Sequence, residues 1–328
     1  MLFKNSYYTG PVTDHFDGKK FHNSPRSERT LFDLLKWMMT RKSTPWPESV
    51  PMGPTAKPVS VHEGSSPVVT FINHASLLLQ WEGLNILFDP VWSERCSPFK
   101  NLGPKRVYPP GIRLEDLPKI DLILLSHNHY DHLDIETLKY LNEQYAPIIV
   151  TGLGNGPILG KSFKQVYELD WWQEYNYKNV KITYVPAQHF SARGIFDRNW
   201  ALWGGFVLQA GGKIIYFAGD TGFCNVFEQI KTRIGSPDVA FLPIGAYEPR
   251  WFMAPAHMSS VDALEAHKVL GAKHSIAIHF GTFNLSDEGI DDPVNLLKSE
   301  RTKRSISEEE FCIMKPGQTK EFLIINEL

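Results

Sequence analysis

Cysteine is scarce. The 328 residues hold only Cys96, Cys224 and Cys312, an odd number, far apart and without a C-x-x-C pair. That excludes a disulfide framework and a cysteine-built zinc site, and three buried thiols are expected. An excess of charge is missing too: 34 Lys and Arg stand against 36 Asp and Glu. A general nucleic-acid binder relies on a strongly basic surface, so no nucleic acid is expected as a partner. No apolar run approaches the roughly 18 residues of a spanning helix. The first residues lack the charged, apolar, small-residue order of a signal peptide. The expectation is a cytoplasmic protein, or one peripheral at a membrane. Gly152, Gly154 and Gly156 have neither dinucleotide-fold spacing nor the following Lys-Ser/Thr of a phosphate loop, which excludes a nucleotide site there. No tandem repeat is evident.

What the chain does have is a hydrophobic fraction of 42%, enough to bury a large core in one domain or two packed halves. The densest chemistry lies in Leu122 to Asp134, L-I-L-L-S-H-N-H-Y-D-H-L-D. Leu122, Ile123, Leu124 and Leu125 have the length and composition of a buried strand. His127, His129, Asp131 and His132 follow, four candidate ligands in six residues, too dense for one face of a helix but suited to a loop at a strand's end. The helical pattern Ile135, Leu138, Leu141 comes directly after. Imidazole and carboxylate together suit zinc or another first-row divalent ion, and two such ions can share a site of this kind.

The same arrangement recurs downstream. Val180 to Val185 leads to His189, Lys213 to Ala218 to Asp220, and Ser275 to Ile278 to His279, each beyond the end of a predicted strand. Further strands are expected at Val68 to Ile72, Leu77 to Trp81, Asn85 to Phe88, Ile148 to Val150, Asp238 to Pro243 and Phe322 to Ile325, with Glu82-Gly83 as a hairpin turn. Helices are expected over Asn225 to Arg233, Ser260 to Leu270 and Pro293 to about Lys303. Strand groups separated by helices, in two similar halves, predict an α/β fold of two sheets face to face with helices outside. In that frame one ion is held by His127, His129 and His189, a second by Asp131, His132 and His279, and Asp220 bridges them. A water between two cations loses a proton near neutral pH, which favours hydrolysis of a phosphoester, ester, lactone, thioester or amide. Asp131 is also placed to orient that water.

Residues 1 to 66 read as an N-terminal arm and 67 to 328 as the main domain. Within the arm, Ser27 can cap an amphipathic helix over about residues 27 to 42, with Leu31, Leu34, Leu35 and Met38 on one stripe and Phe32, Trp37 and Met39 widening it. That helix either docks on the domain or lies in a lipid surface. Five prolines between Ser43 and Pro58 forbid a regular helix in the linker. Residues 93 to 118 form a long loop in which Lys105 and Arg106 could meet an anion.

The H-x-H-x-D-H motif with His189, Asp220 and His279 resembles the metallo-β-lactamase superfamily, whose fold is a four-layer αβ/βα sandwich. G-P-K-R at Gly103 to Arg106, L-D-W-W at Leu169 to Trp172, F-A-G-D-T-G at Phe217 to Gly222, P-I-G-A-Y-E-P-R-W-F-M at Pro243 to Met253 and A-I-H-F-G-T-F at Ala277 to Phe283 are similar to the N-acylphosphatidylethanolamine-hydrolysing phospholipase D family. The resemblance covers about residues 66 to 315. It implies two Zn2+ ions and a phosphodiesterase that splits a phospholipid, with Asp131 and Asp220 catalytic. His257 matches a family position near the substrate, either donating a proton to the leaving group or binding a phosphate oxygen. Arg193 either binds phosphate or fixes its loop, and Arg250 is a candidate for substrate binding or for an ion pair with Glu248. A lactone, a cyclic or sugar phosphodiester or a nucleic acid are the alternative substrates, and a di-iron redox protein is the alternative of another class.

Overall fold

The computed structural model describes residues 4–23, 30–51 and 55–322. Strands β1 (Val68–Asn73), β2 (Ser76–Trp81), β3 (Leu84–Phe88), β4 (Leu122–Leu125), β5 (Ile148–Gly152) and β6 (Val166–Leu169) come first along the chain. Then come β7 (Glu174–Tyr177), β8 (Val180–Val185), β9 (Gly205–Ala210), β10 (Lys213–Phe217), β11 (Val239–Pro243), β12 (His274–Ile278), β13 (Phe311–Cys312) and β14 (Thr319–Glu321). They form two seven-stranded sheets, ordered β14-β1-β2-β3-β4-β5-β6 and β13-β12-β11-β10-β9-β8-β7. Each half of the chain makes one sheet, except that β14 crosses back to pair with β1.

In both sheets the early strands are antiparallel and the later ones parallel. Two-residue hairpins suffice for the first kind: Glu82 and Gly83, with φ of 53° and 70°, make the turn between β2 and β3. Parallel neighbours need crossovers, and helices supply them. After α1 (Leu31–Thr40), α2 (Ile135–Tyr145) links β4 to β5 and the single turn α3 (Gly156–Leu159) links β5 to β6. Then α4 (Val226–Arg233) joins β10 to β11, α5 (Arg250–Met253) and α6 (Ser260–Leu270) join β11 to β12, and α7 (Asp292–Arg304) precedes β13. Among the described residues no helix is long and apolar enough to cross a membrane.

Three apolar clusters define the layers. One joins α2 to the outer face of the first sheet through Leu138, Leu141, Ile123 and Leu125. Another joins α4 and α6 to the second sheet through Phe227, Ile230, Leu264, Tyr216 and Leu242. The largest lies between the sheets, where Phe88 of β3 stands 4.6 Å from Phe217 of β10 and 5.7 Å from Phe241 of β11. β4 is buried on both faces, which is why it reads as an unbroken apolar run. Phe217→Ala opens a cavity in this middle layer and is expected to cost about 3–5 kcal/mol, read as a lower midpoint in urea unfolding.

Residues 4–23 lie along this core. Phe16 and Phe21 are buried in the inter-sheet cluster, with Tyr8 edge-on to Phe16 at 5.0 Å. Asn5 Nδ2 donates to Trp200 O at 3.0 Å, and His15 stacks on Trp171 at 4.5 Å with Nε2 2.7 Å from Asp170. The segment has no period because its order comes from these distant partners. α1 is capped by Thr30, whose side chain and that of Asp33 satisfy each other's main-chain N–H groups; the expected cap Ser27 lies outside the described residues. The expected strand Phe322 to Ile325 runs past residue 322 and out of the described region, and β14 ends just before it.

Candidate metal centre

The loop after β4 is braced at both ends. Ser126 donates from its N and Oγ to the two oxygens of Asp89, at 2.7 and 2.6 Å. Asp134 accepts from Ser93 N and Oγ at 2.9 and 2.8 Å while capping α2. The loop carrying Asp220 comes from the other sheet and packs directly on it. Gly219, at φ +60°, makes that approach feasible: a Cβ there would sit 2.7 Å from Ser126 Cβ and 2.9 Å from Gly204 O.

All seven donors expected from the sequence converge, and they divide into two groups. His127, His129, His189 and Asp220 offer ligand atoms within 4.8 Å of one another, as do Asp131, His132 and His279 together with His74. In the first group His129 Nδ1 lies 2.9 Å from His127 Nε2 and 3.2 Å from His189 Nε2. In the second, Asp131 Oδ2 lies 3.5 Å from His132 Nε2 and 3.3 Å from His279 Nε2. Asp220 Oδ2 touches both sets, 3.7 Å from His189 Nε2, 3.3 Å from His132 Nε2 and 3.1 Å from His279 Nε2. Ligands held at about 2.0–2.1 Å around a tetrahedral ion are roughly 3.3 Å apart, so the spacing fits a divalent cation in each group.

The electrostatics fit as well. Burial pushes the imidazoles of His127 and His189 well below their ordinary value, and that of His129 to about 4 despite the opposing charges of Asp131 and Asp220. Burial alone would raise Asp131 and Asp220, but the charge of His132 overrides it and holds both carboxyls well below the usual range. Burial also works against a charged His279, yet Asp220 and Asp131 more than offset it and hold the ring at about 9. His132 is raised in the same way by Asp220, Asp131 and Asp89. Neutral His127, His129 and His189 and the ionised carboxylates are already in the forms that bind metal, whereas His132 and His279, held protonated by those carboxylates, would give up that proton as a cation took its place. Asp220 Oδ1 and His132 Nε2 are also buried without a hydrogen-bond partner among the described residues, which a bound cation would explain.

The outer nitrogens are fixed too. His132 Nδ1 lies 2.7 Å from Asp89 Oδ2, His127 Nδ1 2.9 Å from Ser126 Oγ and His189 Nδ1 2.9 Å from Ala256 O, contacts that leave each Nε2 facing the centre. Asp89 and His74 escaped the sequence reading. Yet each stands one residue past a strand, the very signal that picked out His279. His74 Nε2 lies 2.9 Å from Asp131 Oδ2, and its ring is 4.1 Å from that of His279. His74, Asp89 and His279 all take positive φ, of 48°, 37° and 59°. Left-handed backbone at non-glycine residues clusters at functional sites.

The remaining candidates separate. His257 comes to the centre, its Nδ1 3.8 Å from Asp220 Oδ2 and its ring 5.0 Å from that of His189. The two arginines make bracing contacts within the protein. Arg193 Nη1 donates to Asn128 O and Leu133 O, both at 2.8 Å, and its guanidinium lies over Tyr130, so it fixes the metal loop from behind. Arg250 pairs with Asp262 at 2.7 Å, replacing the expected ion pair with Glu248, and its Nη1 donates to His257 O. Lys105 pairs with Glu94, and the buried Arg106 donates to Ser93 O and Val91 O. Each of the four cations thus has a main-chain or carboxylate partner, while Arg106 Nη1 is buried without a hydrogen-bond partner among the described residues.

This arrangement of sheets, helices and strand-end ligands is the metallo-β-lactamase fold, and a β-lactamase superfamily domain matches residues 84–280; the chain belongs to that superfamily. More particularly, it is 41% identical over 234 residues to N-acyl-phosphatidylethanolamine-hydrolyzing phospholipase D 1 of Caenorhabditis elegans, covering 68% of this chain and 66% of that protein. It is 36% identical over 255 residues to the mitochondrial N-acyl-phosphatidylethanolamine-hydrolyzing phospholipase D of Saccharomyces cerevisiae, covering 75% of this chain and 54% of the relative. The match thus spans just under two thirds of the one relative and about half of the other. Among solved structures, Igni18, a metallo hydrolase from Ignicoccus hospitalis, superposes with a TM-score of 0.61 at 23% identity, over 80% of this chain and 100% of that one, a likeness of fold.

Proposed function

We propose that the protein is a binuclear zinc-dependent hydrolase, a phosphodiesterase of the phospholipase D type acting on N-acylphosphatidylethanolamine. The observation that carries the binuclear reading is Asp220, whose one oxygen reaches ligand nitrogens of both groups. The two relatives named above support the substrate. Two bound zinc ions would supply Lewis acidity toward the phosphoryl group and lower the pKa of a coordinated water to about 7. His127, His129 and His189 would hold one ion and Asp131, His132 and His279 the other, with Asp220 shared. His257 is half-buried at the mouth, within reach of a leaving oxygen or a phosphate oxygen. Asp131, tied to His74, is held in place beside the reacting atoms. The di-iron alternative calls for a carboxylate where this chain offers His129.

The test is metal analysis of protein purified without added zinc, followed by assays on N-acylphosphatidylethanolamine, a lactone and bis-p-nitrophenyl phosphate. Hydrolysis of the lactone alone removes the phosphodiesterase, and iron in place of zinc removes the metal assignment.

A lipid surface is the proposed setting. α1 docks through Trp37, which stacks on Phe252 at 5.0 Å and donates to Asp287, yet leaves Phe32 73%, Met38 62% and Met39 86% exposed. Lys36 lies over the exposed Trp251, next to the arginine that holds His257 O, so this apolar face adjoins the site. Met39→Glu combined with Phe32→Glu is expected to weaken binding to phospholipid vesicles at least about tenfold, through lost apolar burial, while turnover of a soluble diester stays unchanged. Unchanged vesicle binding would rule the surface out.

A further inference from the structure

His189 lies four residues beyond the last pair of β8 and β9, Val185 opposite Gly205, so the sheet does not hold it. A side chain from the other end of the protein does. Asn23 Nδ2 donates to His189 O at 2.8 Å, and His189 N donates to Asn23 Oδ1 at 3.2 Å. The buried Trp203 ties the same carboxamide down, its Nε1 donating to Asn23 Oδ1 at 3.1 Å and to Ala187 O at 3.0 Å. A carboxamide that meets both the N–H and the C=O of one residue acts as a strand partner would. It fixes the peptide planes on either side of the Cα and so the direction of the Cα–Cβ bond. The ring is then held by Ala256 O at Nδ1, leaving Nε2 little freedom.

We infer that Asn23 is a positioning residue of the metal centre: it sets His189 Nε2 in register with His127 and His129. This rests on the reading of His189 as a metal ligand. It makes the N-terminal strap part of the site, although no strap residue from 4 to 22 needs to touch the ligands.

Asn5 supplies the control. It fastens the same strap, donating to Lys19 O and Trp200 O and accepting from the N–H groups of Tyr7 and Tyr8, with no bond to the centre. The experiment titrates zinc into the metal-free full-length wild type, Asn23→Ala, Asn23→Asp and Asn5→Ala against a chromophoric chelator, and records the visible spectrum of each protein loaded with cobalt. Loss of a group that orients a metal ligand weakens metal affinity about 10–100-fold. Asn23→Ala is expected to lose that much for one of two ions, to keep the other, and to shift the cobalt bands. Asn23→Asp keeps the shape but cannot donate to His189 O, so it is expected to weaken the same ion even if the alanine variant folds poorly. Asn5→Ala is expected to match the wild type. If the wild type binds two ions and both Asn23 variants match it, or Asn5→Ala loses the same ion, the role of Asn23 is overturned while the metal centre stands. If the wild type binds none, both readings fall together.

Discussion

Asp220→Asn leaves about a thousandth of the wild-type turnover of bis-p-nitrophenyl phosphate, equivalent to about 4 kcal/mol of activation free energy, and at most one metal ion per chain. This is the largest effect expected of any single substitution here, because among the described residues only Asp220 has one oxygen within ion-pair distance of His189, His132 and His279. Asparagine keeps the volume, so packing around the side chain survives. What goes is the negative charge, and with it the largest influence raising the buried His279 against desolvation. Metal content by elemental analysis, turnover and thermal melting separate the possibilities. Phe217→Ala should reverse the pattern, with stability down and metal count unchanged. An Asp220→Asn protein that keeps two ions and turns over within about tenfold of wild type would refute the bridging role, since a shared ligand acts on both ions at once.

Stripping the metal with a chelator is the second large effect. All diesterase activity is expected to disappear and the melting temperature to fall on the order of 10 °C, since each ion present at a thousand times its dissociation constant contributes about 4 kcal/mol to the folded state. The cause is visible in the site: buried imidazoles and carboxylates crowd together, and Asp220 Oδ1 lacks a hydrogen-bond partner among the described residues. Zinc should restore both signals. Recovery with iron but not zinc would move the protein to the redox class, and an unchanged melting curve would mean that the cluster holds no tightly bound ion.

Much of the centre was legible because strand ends mark themselves in sequence. An apolar run such as Leu122 to Leu125 stops, and the polar residue that follows is carried to the same edge of the sheet as its counterparts from other strands. Applied strictly, the rule would have included His74 and Asp89, which sit past β1 and β3. Neither belongs to a dense motif, so in sequence alone neither stands apart from an ordinary turn residue. Other misses have different causes. β7 alternates exposed and half-buried residues, and β13 has two residues, so neither leaves an apolar signature. The strap from Asn5 to Asn23 follows no period because its partners, Trp200, Asp170 and His189, are at least 150 positions away. The bracing bonds of the arginines are illegible for a simpler reason. A guanidinium near a metal motif looks like a phosphate ligand, and nothing in sequence reveals that Asn128 O and Leu133 O already occupy Arg193.

The handshake between His74 and His279, in which the N–H of the second donates to the carbonyl of the first at 2.8 Å, joins the ends of β1 and β12 across the interface of the two sheets. Neither half of the polypeptide therefore owns the centre. A truncated chain bearing only one half would hold an incomplete donor set, so cation uptake reports that both halves have met. Synthesis in an ion-starved medium should yield chains whose halves cohere through the apolar middle layer and these main-chain bonds without the cations, and limited digestion would tell them from loaded ones before any assay of turnover.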